Sequence, residues 1–204
     1  EYIAIMDADD VSHSERVAVQ KAHLESEGLD VVSSPMDVID ARGEIIGARL
    51  LPSSAESVRR WAPYGCPLNN PAVFAKAGVL KANIYDERYR VSEDYELWVR
   101  LLLSGHKLGN TTERTVLYRQ PNEAYAKRRG LTYAWADARV KIAATRLVAW
   151  PRKPGVVLFA LTSACIRLLP GALFRVLYRL KATWYARLLR RRAPGDSEST
   201  GRVA

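Results

Sequence analysis

Tyr2-Ile3-Ala4-Ile5-Met6-Asp7-Ala8-Asp9-Asp10 is the stretch on which the fold turns, because an unbroken apolar run ends abruptly in three carboxylates. Such a run reads as a strand buried on both faces of a parallel sheet. That strand needs neighbours normally made earlier in a chain, so Glu1 reads as the cut end of a longer protein. The acids then fall at the carboxyl end of a buried strand, where open α/β sheets form their ligand crevices. Charge is costly there unless a cation or hydrogen-bond donors compensate it. Carboxylates at alternate positions suit a hard divalent ion, Mg²⁺ or Mn²⁺, that can also bridge diphosphate oxygens.

Outward from this stretch, strands and helices alternate. Ser12 with Glu15 has capping-box spacing, and Val17, Ala18, Ala22 and Leu24 give the next helix an apolar side that Gly28 closes. Val31 to Ser34 reads as a strand, and Met36 to Leu50 as a hairpin around Ala41-Arg42-Gly43-Glu44. Ser53 with Glu56 opens a short helix ending near Trp61, and a Pro-rich loop leads to the strand Ala72-Val73-Phe74. Ser92 is the expected N-cap of a helix in which Tyr95, Trp98, Leu101 and Leu102 share a face, with Gly105 as its stop. Thr115 to Arg119 is the last strand of an α/β domain with a mixed sheet.

The second acidic group, Glu93-Asp94, lies in the first turn of that helix, where the macrodipole favours ionised carboxylates by about 0.3–1 kcal/mol. A carboxylate so placed can accept a proton from a sugar hydroxyl, and the aromatic faces of Tyr95 and Trp98 suit a sugar as well as a core. The strand-D-x-D element by itself also resembles the first motif of haloacid-dehalogenase-like phosphatases, with Asp7 as nucleophile and Asp9 as acid. The later Lys and Gly-Asp motifs of that family do not follow.

Taken together, Ile5 to Val11, the hairpin residues Val38-Ile39-Asp40 with Gly43 and Ile46-Gly47, Asn70 to Phe74, Tyr85-Asp86-Glu87-Arg88-Tyr89 and Glu93 to Trp98 resemble family 2 glycosyltransferases of the GT-A fold, of the bacterial polysaccharide type. The resemblance covers about residues 1 to 120. It implies transfer of a sugar from a nucleotide-sugar donor to an acceptor hydroxyl with inversion, in surface-polysaccharide or glycolipid assembly. Asp94 is then the general base supported by Glu93, Asp9 with Asp7 holds the metal, and Asp7, Asn70 and Trp98 contact substrate. Many relatives have a His where Asn70 stands. The first βαβ units of the family, on the order of 60 to 90 residues at roughly 30 per unit, do not precede Glu1, so the fold expected is a partial, Rossmann-like GT-A sheet and the chain alone is expected to be inactive.

Charge divides the sequence in the same place. The net of +9 combines −4 over residues 1–122, with 14 Lys and Arg against 18 Asp and Glu, and +13 over residues 123–204, with 17 against 4. Cys66 and Cys165 show neither disulfide nor zinc spacing, which fits a reducing setting. The expected organisation is a catalytic part over 1–122, a helical connector over 123–154, membrane-associating amphipathic helices over 155–192 and a disordered tail over 193–204. Leu173, Leu177, Leu180, Trp184 and Leu188 fall on one helical side and Arg175, Arg179 and Arg190 on the other, the pattern of an interfacial helix on an anionic membrane. The basic residues are interleaved with Leu, Val and Trp, which argues against nucleic acid as partner. A peripheral enzyme on the cytoplasmic face, near a lipid-linked glycan acceptor, is the reading; a non-catalytic membrane-bound interaction module is its alternative.

Overall fold

A computed structural model describes residues 1–120, 128–174, 176, 177 and 180. Its strands form two four-stranded mixed sheets. The first contains β1 (Tyr2–Ala4), β3 (Val31–Ser33), β6 (Phe74–Lys76) and β7 (Leu108–Asn110) in the order β1-β6-β3-β7. Strand β6 runs antiparallel to both β1 and β3, and β3 is parallel to β7. The second holds β2 (Val11–Ser12), β4 (Met36–Ile39), β5 (Ile45–Arg49) and β8 (Val116–Arg119) in the order β2-β8-β4-β5, with β4 parallel to β8. The α/β class with mixed sheets is as expected.

The opening strand is not. Among the described residues β1 has one neighbour, the antiparallel β6, and its residues are half-buried or exposed. The strand enclosed on both faces is β3: Val31 packs with Trp98 and Val73, while Val32, pointing the other way, packs with Leu24 and Phe74.

Those two contacts place helices on both faces of the first sheet. Helix α1 (Arg16–Ser26) turns Arg16, Gln20 and Leu24 inward, so of the expected apolar side Leu24 is buried while Val17, Ala18 and Ala22 are exposed. The predicted capping box is absent too: Ser12 lies in β2, its hydroxyl donates to the His13 carbonyl, and Glu15 at the N-cap makes no side-chain bond. Helix α2 (Ala55–Trp61) is capped by Ser54, whose hydroxyl accepts from Ser57 N–H at 3.2 Å, one residue after the expected Ser53. A 3-10 turn over Asn70–Ala72 precedes β6, which begins two residues later than expected, and α3 (Ala77–Ala82) follows it. Helix α4 (Glu93–Leu103) buries Tyr95, Leu97, Trp98, Val99, Leu101 and Leu102 in the main core.

Helices α5 (Leu131–Ala144) and α6 (Lys153–Leu168) pack together, and Val140 and Ala144 of α5 join the core of α4. Helix α6 starts before the boundary expected at residue 155. At the seam, Lys141 and Arg167 both pair with the buried Asp137 carboxylate, and Lys141 also donates to Ser163 at 2.9 Å. No helix among the described residues is long and apolar enough to cross a membrane. Most of the expected amphipathic stripe, including Leu177's basic neighbours Arg175 and Arg179 and everything from Trp184 to the tail, lies outside the described residues.

The inward polar face of α1 joins the sheet to the turns around it. Arg16, 3% exposed, donates from Nη2 to the carbonyls of Ile5 at 2.7 Å and Val73 at 3.2 Å, and from Nε to Gln20 at 3.0 Å. Gln20, 0% exposed, donates to the Ala72 carbonyl at 2.6 Å. Replacing Arg16 with leucine strands the Ile5 carbonyl and the Gln20 oxygen in the interior, so Arg16→Leu is expected to lower stability by about 2–3 kcal/mol, read from the urea midpoint of full-length chain.

Candidate active site

The first acidic cluster sits where the chain leaves β1. Ile5 N–H donates to the Val73 carbonyl at 2.9 Å and the Ile5 carbonyl accepts from Arg16, so the departure point is held from two sides. The chain then turns, with Asp10 N–H on the Asp7 carbonyl at 3.3 Å. Asp7 and Asp9 are exposed. Partial desolvation, and after it the charge of Asp9, raises the Asp7 carboxyl above its ordinary value. These two exposed carboxylates offer hard oxygen donors of the kind a divalent cation takes. Among the described residues no three His, Cys, Asp or Glu side chains gather to hold a metal.

Asp10 has a different task, one that the expected roles did not include. It is 7% exposed, its Oδ1 accepts from Arg119 N–H at 2.8 Å, and its Oδ2 is buried without a partner. The Arg119 guanidinium reaches back to the carbonyls of Asp9 at 2.9 Å and Asp40 at 2.9 Å. Together they tie the acidic turn to the end of β8 and to the β4–β5 hairpin.

The second cluster opens α4. Ser92 takes the left-handed conformation, φ 61°, and its hydroxyl makes no capping bond, contrary to expectation. Asp94 does the local work instead, accepting from Tyr95 N–H at 2.7 Å through Oδ1. Burial raises the Asp94 carboxyl above its ordinary value; that hydrogen bond opposes the shift, Glu93 adds to it, and Arg128 and Arg49 oppose it.

Tyr85 stands between the clusters. Its hydroxyl donates to Asn70 Oδ1 at 3.0 Å. Burial raises its phenol, the Asn70 contact opposes this, and the charges of Asp94, Glu93 and Asp7 raise it further. The charges of the two acidic motifs, far apart in sequence, thus act on one phenol, whose hydroxyl is held by Asn70. Tyr85 carried no expected role, although the Tyr85 to Tyr89 segment stood out as a motif. In that segment Asp86 accepts from the Arg88 guanidinium and backbone, which holds its carboxyl down to about 2.

Trp98 corrects an expectation. It is 0% exposed inside the main core, and the Tyr95 hydroxyl donates to the Ala62 carbonyl beneath α4. At i, i+3 these rings point into the protein, so neither can receive a sugar.

No protein-family model matches the chain. An uncharacterized glycosyltransferase of Haemophilus influenzae is 28% identical over 182 residues, spanning 88% of this chain and 67% of the relative. The amylovoran biosynthesis glycosyltransferase AmsE of Erwinia amylovora is 30% identical over 182 residues, spanning 86% of this chain and 66% of the relative. The chain thus covers about two thirds of each of these relatives. In three dimensions, residues 1–349 of S. aureus TarS in complex with UDP superpose with a TM-score of 0.51 at 14% identity, over 77% of this chain and 45% of that TarS 1–349 chain. Over most of its length the sequence is similar to these glycosyltransferases, and the mixed α/β fold is similar to that of TarS.

Proposed function

We propose that the protein transfers a sugar from a nucleoside-diphosphate-sugar donor to an acceptor hydroxyl, with inversion at the anomeric carbon, in the assembly of a cell-surface polysaccharide or glycolipid. The observation that carries this reading is the sequence similarity to proteins named as glycosyltransferases over most of the chain, with the charges of Asp94, Glu93 and Asp7 all acting on the Tyr85 phenol. Ionised Asp94 takes the proton of the acceptor hydroxyl as its oxygen attacks the anomeric carbon, and the bond to the nucleoside diphosphate breaks on the opposite face. Its raised proton affinity makes it a better base, and the negative Glu93 beside it adds to that affinity. Asn70 and Tyr85, between the two carboxylate groups, are the contacts for the sugar. Asp9 with Asp7 would hold Mg²⁺ or Mn²⁺. When bound, that ion neutralises charge on the departing diphosphate. AmsE, named for amylovoran biosynthesis, supports the polysaccharide context.

The pH profile follows from the direction of the Asp94 shift. Below its raised value Asp94 is protonated and cannot act as base, so activity rises with pH through an acid limb above the ordinary carboxylate value of 3.8. Arg128 opposes the shift, so Arg128→Gln moves this limb to higher pH, whereas Asp94→Asn lowers the rate at the optimum by about 10²–10⁴-fold. Both are read by donor turnover with the intact protein across pH 4 to about 8. For the cation, Asp9→Asn is expected to raise the Mn²⁺ concentration needed for half-saturation by at least about tenfold, measured by calorimetric titration.

The same reading places the enzyme peripherally on the cytoplasmic face of a membrane, near a lipid-linked acceptor. Support comes from α6, whose outward stripe exposes Leu158, Leu161, Cys165 and Leu168, continued by Leu173 and Val176, with Trp150 and Arg152 exposed before it. Apolar area beside a segment of net +13 suits an anionic lipid surface. Full-length chain is expected to float with anionic liposomes, and Leu158→Ser with Leu161→Ser to weaken flotation several-fold.

A further inference from the structure

Asp9 stands on an exposed turn with little of its own to hold it. Residues Asp7 to Asp9 are exposed, and the turn closes on one long backbone bond, from Asp10 N–H to the Asp7 carbonyl at 3.3 Å. Among the described residues Asp9 receives one hydrogen bond, at its carbonyl, from Arg119 Nε at 2.9 Å. The other arm of that guanidinium, Nη1, donates to the carbonyls of Asp40 at 2.9 Å and Ala41 at 3.3 Å in the β4–β5 turn. That turn is a firm post. The Asp40 carboxylate accepts from the N–H groups of Arg42 at 2.8 Å and Glu44 at 3.0 Å, and the Asp40 carbonyl accepts from Gly43 N–H at 3.1 Å. Arg119 is fixed through its own backbone: it pairs with Ile39 in the parallel β4–β8 ladder, its N–H donates to Asp10 Oδ1 at 2.8 Å, and Gln120 N–H donates to the Ile39 carbonyl at 2.9 Å.

The guanidinium thus spends its donors on carbonyls of two separate turns, and it holds the main chain of Asp9 while leaving the Asp9 carboxylate to other partners. We propose that Arg119 is a positioning residue for Asp9: it fixes the acidic turn against the hairpin and so sets where the Asp9 carboxylate is presented to a divalent cation. This rests on the reading of Asp9 as a metal ligand. A planar fork holds two carbonyls at a set spacing, which a single ammonium does not reproduce. Partners one bond removed from an ion typically change metal affinity by about 10–100-fold when they are lost. The sign of the effect separates position from charge. By Coulomb's law alone, removing a positive side chain beside a cation tightens the cation's binding, whereas losing the position of Asp9 weakens it.

The test titrates full-length wild type, Arg119→Gln, Arg119→Lys and Asp9→Asn with Mn²⁺ alone, the free ion being read by EPR, and urea unfolding of each protein confirms that the folded form is compared. Arg119→Gln is expected to weaken Mn²⁺ binding about tenfold or more, and Arg119→Lys, which keeps the charge without the fork, by an intermediate amount. Arg114→Gln removes a guanidinium that pairs with Asp37 of β4 and does not bond to the acidic turn, so it is expected to leave Mn²⁺ binding unchanged. Arg119→Gln that binds Mn²⁺ as tightly as wild type, or more tightly, overturns the proposal. Equal weakening by Arg119→Gln and Arg114→Gln marks a general effect of a lost side chain and overturns it too. Should Arg119→Gln fail to fold, Arg119→Lys decides, and an unchanged Mn²⁺ midpoint is then the contrary result. Asp9→Asn separates the two readings: if it weakens binding and Arg119→Gln does not, the positioning role alone falls, and if it leaves binding as in wild type, the metal reading of Asp9 falls and takes the proposal with it. A wild type that binds no Mn²⁺ overturns both.

Discussion

A guanidinium buried without a carboxylate partner governs how this domain is put together. Burial draws Arg16 below its ordinary proton affinity, with the charge of Asp10 opposing, and what holds it inside is a set of carbonyls rather than an anion. Those carbonyls, at Ile5 and Val73, belong to the points where β1 and β6 part. Gln20, one turn further along α1, takes the Ala72 carbonyl in the same way. A sheet that opens at this place exposes backbone acceptors that must be satisfied internally. Helix α1 supplies the donors, and so fixes both the residue from which the Asp7-Asp9 turn departs and the short 3-10 turn that presents Asn70. The helix touches no candidate substrate group, yet two sides of the site hang from it.

The α5–α6 pair anchors the site from a third side. Arg167, which pairs with Asp137 at 3.2 Å, also donates to the Arg128 carbonyl at 2.8 Å, and Arg128 acts on Asp94. The buried Asp137 carboxylate between Lys141 and Arg167 is costly to desolvate, and losing it would leave two cations facing each other without its countercharge. The helical pair that presents an apolar face outward is therefore tied through an ionic seam at its inner face to Arg128.

How much of this could be read from residue order depends on whether the cause was local. The hairpin of β4 and β5, strand β3 and helix α4 were legible because apolar periodicity and a Gly turn mark them, with Gly43 at φ 89°. The two acidic motifs were legible as motifs for the same reason. Residues whose meaning comes from a partner distant in sequence were not. Arg16 and Gln20 look like a solvated helix face until the carbonyls they meet are known, and the Tyr2 to Met6 run cannot say how many neighbours its strand has. Trp98 was misjudged since its spacing serves a core and a sugar platform alike, and depth alone separates them. Tyr85 gave no local sign of facing the acids, because that relation is made by the sheet.

The left-handed turn at Ser92 has an effect on what the sequence can become. A residue with a Cβ in that region costs of order 1 kcal/mol or more, and a β-branched one far more. Drift at this position is therefore confined to Gly, Asn, Asp and small neighbours of serine, whatever the polarity of the surroundings. The geometry with which Glu93 and Asp94 enter their helix thus depends on the side-chain shape allowed at the preceding residue.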